Sequence, residues 1–145
     1  MKPTCSRRKP APRVVLRGPD DAVVALRLAV GEPDGELIAA LVCDARHQLV
    51  SAPVFEGAPF DAASQVLSVL LEAVEGMVLP GIVLALYRRG GTYLTPHELV
   101  ALERLFERCD YEEADLLDVL IMSGHGWRSV AELADLGPGG KHDDQ

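Results

Sequence analysis

Apolar positions recur along this chain with two different periods. Over 19–30, Pro19-Asp20-Asp21 puts carboxylates into a first helical turn, where the helix dipole favours negative charge. Val23, Val24, Leu26, Leu28 and Val30 then give a mostly apolar short helix, closed by Gly31 and Pro33. Glu36 opens an unbroken apolar run to Cys43, the pattern of a strand covered on both faces. Asp44-Ala-Arg-His47 predicts a turn, and Gln48–Phe55 the partner strand of a hairpin.

The second half alternates in the same way. Asp61 is expected to cap a helix reaching about Glu75, with Val66, Val69, Leu70 and Ala73 on one face and Gly76 as its stop. Leu79–Tyr87 predicts a second buried strand, followed by the loop Arg88–Leu94. Thr95-Pro96 opens another helix: Thr95 is the N-cap, Pro96 the first position and Glu98 the third, with Leu99, Leu102, Leu105, Phe106 and Cys109 as its apolar face. Leu116–Met122 predicts a third buried strand, Gly124-His-Gly126 a turn and Trp127–Val130 a last strand. The order implies a single α/β domain: a mixed sheet with flanking helices, and a hairpin attached to a crossover-connected part.

Composition adds bounds. The 145 residues suffice for one cored domain, and 48% apolar with 25% charged is the globular average. Residues 1–18 hold Lys2, Arg7, Arg8, Lys9, Arg13 and Arg17 without one acidic group, and they read as a basic, Pro-rich flexible arm. The rest carries 8 basic against 22 acidic side chains, a net of −14. An acidic body repels phosphate backbones, so nucleic acid is expected to meet this chain through the arm alone. Residues 19–136 form the expected domain, and 137–145 read as a disordered tail. Cys5, Cys43 and Cys109 offer neither a disulfide framework nor zinc-finger spacing. No apolar run reaches the roughly 18–20 residues that span a bilayer, so no membrane contact is expected and the cytoplasm is the expected location.

From about residue 19 to 133 the chain resembles the RadC-like branch of the JAB/MPN (JAMM) domain family. Glu36 and Asp44 have the spacing of that family's first strand and turn, and Phe55-Glu56-Gly57 stands for its FxG segment. Thr95-Pro96 matches its helix start, and Leu116-Leu117-Asp118-Val119 its LLDH strand. Gly124-His125-Gly126-Trp127-Arg128-Ser129-Val130-Ala131-Glu132 matches its GxGxYxSxxE ending.

The resemblance implies a zinc ion on two histidines and an aspartate, with a glutamate as general base for a zinc-bound water. Carried onto this chain, the His-x-His pair falls on Leu86-Tyr87-Arg88, the following segment on Arg89-Gly90-Gly91, the serine of the helix start on His97 and the ligand aspartate on Val100. Leucine and valine cannot ligate zinc, and arginine brings positive charge to the place of a dication. Glu36 alone remains, at the general-base position. The resemblance therefore implies the fold without the reaction: a zinc-less interaction or scaffold module, partnered by another protein or by a second copy of itself. The alternative is a zinc-dependent metallopeptidase or isopeptidase of the parent kind. A third is a DNA-associated role, resting on the repair label of RadC-like proteins and the basic arm.

Other residues have plainer readings. Glu36 is expected as a polar residue at the strand start; a more specific reading has Arg88 fill the old metal position and pair with it. Arg88 and Arg89, beside two glycines, offer a contact for an anion. His47 is expected in a solvated turn, His97 neutral and exposed near a helix N-terminus, His125 in a turn, and His142 in the tail. Glu36, His97 and His125 have no ligand spacing for a relocated metal site. Cys43 and Cys109 are expected in the core rather than as nucleophiles. Asp110–Asp115 reads as an acidic, solvated helix end, with a contact surface for a basic partner as the sharper alternative.

Overall fold

The computed structural model describes residues 14–31, 35–124 and 126–130. The elements are α1 (Pro19–Val30), β1 (Leu37–Cys43), β2 (Leu49–Ser51), β3 (Val54–Glu56), α2 (Ala63–Ala73, entered by a 3-10 turn at Phe60–Ala62), β4 (Gly81–Tyr87), α3 (Pro96–Glu112), β5 (Leu116–Ser123) and β6 (Gly126–Ser129). This is an α/β domain of three helices and a six-stranded mixed sheet in the order β2-β1-β4-β5-β6, with β3 also on β1. The β4–β5 pair is parallel and is joined by the α3 crossover; β1 with β4 and β5 with β6 are antiparallel.

The continuous apolar runs follow from helices on both faces. Ile38, Ala40, Val42, Ile82, Leu84, Leu86, Val119 and Ile121 face α2 and α3, which contribute Val66, Leu67, Leu70, Leu102, Leu105 and Cys109. The alternate positions, among them Leu37, Ala39, Leu41, Val83, Ala85, Tyr87 and Leu120, face α1 with Ala22, Val23, Ala25 and Leu26. A strand with period 2 and two buried faces has no polar side, so alternation disappears from its sequence.

Several local expectations change. Gln48–Phe55 is two short strands, because Pro53 has no N–H for the ladder; its carbonyl still accepts from Ala40 at 2.9 Å. The turn before it is held by the Asp44 carboxylate, which accepts from the backbone N–H groups of Arg46 and Gln48. Asp61 does not cap α2: that helix starts after Ala62 without a side-chain cap, and Asp61 sits in the preceding 3-10 turn. Residues 14–18, placed in the arm by their basic composition, are docked on the domain. Val15 bridges Gln48, and Leu16 is buried beneath α1. Residues 1–13, His125, Glu132, His142 and the 137–145 tail lie outside the described residues.

One register irregularity shapes the centre of the sheet. Ile82 pairs with Leu116 but Val83 with Asp118, so Leu117 is an extra residue in β5. Its side chain lies over Gly81, where a Cβ would stand 2.8 Å from Leu117 Cδ1 and 3.1 Å from Cys43 Sγ. Glycine is required here for close approach.

Candidate functional site

The C-terminal end of β4 carries two of the three positions onto which the zinc ligands would fall, and α3 carries the third. Period 2 sends Leu86 into the core beneath α2 and α3, where it is 1% exposed. Tyr87 points to the opposite face, and burial pushes its hydroxyl up to about 12 against the lowering pull of Arg27. Arg88 continues the ladder, its N–H donating to the Met122 carbonyl at 2.9 Å. Its side chain turns to the start of α3: Nε donates to Glu98 Oε2 at 3.1 Å and Nη2 to Oε1 at 2.9 Å, while Nη1 donates to the Gly91 carbonyl. Both side chains of this ion pair are 13% exposed.

Glu98 is placed by the helix start itself. Thr95 and Glu98 form a reciprocal capping box: Thr95 Oγ1 accepts from the Glu98 N–H at 3.1 Å, and the Thr95 N–H donates to Glu98 Oε1 at 2.9 Å. One carboxylate thus accepts from a helix cap and from a forked guanidinium at the positive end of the α3 dipole.

The Arg88–Glu36 pair of the more specific reading is therefore replaced by Arg88–Glu98, and Glu36 is the polar residue before the strand. Glu36 lies one step beyond the Leu37–Tyr87 register pair, facing Arg88 along the sheet, but it is exposed. A hydrated carboxylate gains little from pairing, whereas Glu98 is already oriented and largely withdrawn from water. Val100 is exposed on the outer side of α3, two positions from the inward-facing Leu102. The zinc set implied by the resemblance does not fit Leu86, Arg88 and Val100: one is core, one is an ion-pair partner and one faces solvent. Among the described residues no three His, Cys, Asp or Glu side chains come together as a metal site.

Arg88 and Arg89 do not act as a pair either. Arg88 is committed to Glu98, while Arg89 is exposed and extends toward Gly35. His97 is exposed as expected, but its Nε2 is 2.8 Å from Asp61 Oδ2, with both side chains open to solvent. His47 is exposed with φ of 62°, in the left-handed region that His tolerates better than most residues. Both described cysteines are core residues. Cys43 Sγ donates to the Gly81 carbonyl at 3.5 Å, and its thiol is pushed up by burial and then by the Asp44 charge. Burial first, then Asp110, pushes Cys109 up to about 11. Neither supplies a thiolate near neutral pH.

Two pairings had no signal in the sequence pattern. Arg128 on β6 lies over the ring of Tyr93, 4.7 Å from its centroid, tying the loop after β4 to the far edge of the sheet. Ser129, buried, donates to Asp118 Oδ2 at 2.6 Å. These two residues, with Leu16, His47, Val83 and Leu117, line a cavity of about 380 Å³ under the N-terminus of α1. Asp118 and Ser129 belong to the two segments that carry the resemblance at the end of the chain.

No protein-family model and no curated protein matches this chain. No described helix is long and apolar enough to cross a membrane.

Proposed function

We propose that the chain is a zinc-less RadC-like JAB/MPN domain that works as a cytoplasmic protein-interaction or scaffold module. The observation that carries this reading is the Arg88–Glu98 ion pair. At the position of the second ligand histidine stands a guanidinium each of whose three nitrogens donates to the protein's own carboxylate or carbonyl. A dication there would have to displace a bidentate pair and meet a fixed positive charge. The element order is in keeping with the family reading. The general base of that family would be Glu36, which here stands exposed immediately before β1.

The test is the metal content of the purified, tag-free chain before and after mild chelation, with peptidase and isopeptidase assays alongside. The expected result is no stoichiometric zinc, folding unchanged in chelator and no hydrolysis. About one zinc per chain, with hydrolysis abolished in Glu36→Ala, would overturn the reading in favour of a hydrolase.

A further inference from the structure

The outer face of α3 is unusual in what it leaves in water. Leu99, Val100, Phe106 and Tyr111 are 51%, 44%, 38% and 83% exposed. Glu103, Glu107 and Asp110 are exposed between them. At about 100° per residue these seven side chains share an arc of roughly 140° that begins about 40° beyond Leu102 of the Leu102–Leu105–Cys109 core face; Leu99 and Phe106, expected on that buried face, stand at its edge and are exposed instead. Arg104 and Arg108 lie on the flank of that arc, and Arg108 is paired with Glu112 at 3.6 Å. The arc is a strip of apolar groups and carboxylates without a cation.

Charge decides what can lie on it. A second α3 laid against this face would bring carboxylates against carboxylates, which disfavours helix-to-helix self-pairing. A basic segment with rings fits: guanidinium and ammonium groups meet Glu103, Glu107 and Asp110, proline rings pack on Leu99 and Phe106, and arginine stacks on Tyr111 as Arg128 stacks on Tyr93. This chain carries such a segment. Residues 1–13 contain Lys2, Arg7, Arg8, Lys9 and Arg13 with Pro3, Pro10 and Pro12, and no acidic residue.

We infer that residues 1–13 of a second copy dock on the outer face of α3, so that two copies exchange basic segments. The exchange is between copies because Val15 and Leu16 fix the segment's root to the β2 edge and the α1 side, whereas α3 covers the opposite face. Thirteen residues reach at most about 45 Å, which spans to a neighbouring copy but would be nearly used up in rounding the sheet to the segment's own α3. The inference rests on the interaction-module reading and gives it a surface and a partner.

The test uses the full chain. A mixture of ¹⁴N and ¹⁵N protein treated with a carbodiimide should give mixed-isotope cross-links from Lys2 and Lys9 to Glu103, Glu107 and Asp110. Sedimentation should show a dimer that weakens roughly tenfold or more in molar salt, where the Debye length is about 3 Å. Glu103→Lys/Glu107→Lys/Asp110→Lys should be monomeric, and so should Arg7→Glu/Arg8→Glu/Lys9→Glu, which leaves the helix untouched. A one-to-one mixture of the two variants should restore a heterodimer, since each segment then meets a face of opposite charge. A monomer at all salt concentrations, cross-links confined to single copies, or a dimer indifferent to both reversals would overturn the inference. None of these outcomes bears on zinc or hydrolysis, so failure here is distinguishable from failure of the non-catalytic reading.

Discussion

Arg88 donates to both carboxylate oxygens of Glu98, and one of those oxygens also accepts the Thr95 backbone N–H. The end of β4 is thereby fastened to the first turn of α3, the helix that crosses over to β5. Strand, loop and crossover helix share a single carboxylate as their junction.

Removing that carboxylate should cost more than an exposed ion pair. Glu98→Ala leaves Arg88 partly desolvated without its counter-charge and frees one N–H of the helix start. The expected loss is about 2–4 kcal/mol, against about 1 kcal/mol for Thr95→Ala, which removes the other half of the cap. Arg88→Met in the Glu98→Gln background should cost less than the sum of the single changes, with a coupling of roughly 1–2 kcal/mol. Urea unfolding of the four proteins measures this. Strict additivity would remove the pair as the junction.

Gly81→Ala tests the bulge. The added methyl lands on Leu117 and close to Cys43 Sγ, so β5 or the Leu117 rotamer must shift. Overpacking of this kind should destabilise by about 1–3 kcal/mol. Leu117→Ala in the same chain should recover part of the loss, because it removes the atom in the way. A Gly81→Ala protein with an unchanged unfolding midpoint would show that the close approach costs nothing.

The Cys109 thiol gives stability a dependence on alkaline pH. Its value is raised from 9.0 to about 11, so the folded chain keeps a proton that the unfolded chain gives up near pH 9. This contribution is fully present below about pH 9 and is lost as pH rises to about 11. Cys43 and Tyr87 act in the same direction. Unfolding midpoints should therefore fall through that window, and fall less steeply in Cys109→Ala. An equally steep fall in that variant would assign the effect to the other groups.

His97 and Asp61 make the opposite case. Their contact is short, but the side chains are 75% and 57% exposed, where water competes with the pair. His97→Ala and Asp61→Asn should each move stability by no more than about 0.5–1 kcal/mol. A larger loss in thermal or urea unfolding would make this contact a structural tie between the 3-10 turn and α3.

Periodicity by itself determined the helices, the three buried strands and the crossover between β4 and β5, because a chain must cover apolar runs of that length from both sides. The Thr95–Pro96–Glu98 start of α3 was legible as well, since a capping box is written in four consecutive residues. Side-chain partners across the fold were not. Glu36 and Glu98 are both glutamates within reach of Arg88, and choosing between them needs the exposure of one and the burial of the other. Asp61 has the form of a helix cap and is instead the partner of His97, because the chain inserts a 3-10 turn before α2. Leu117 reads as one more strand residue; its displacement over Gly81 comes from the register that the rest of the sheet imposes. Local sequence specifies what a segment can become, while pairing, burial and register are properties of the surfaces that tertiary packing brings together.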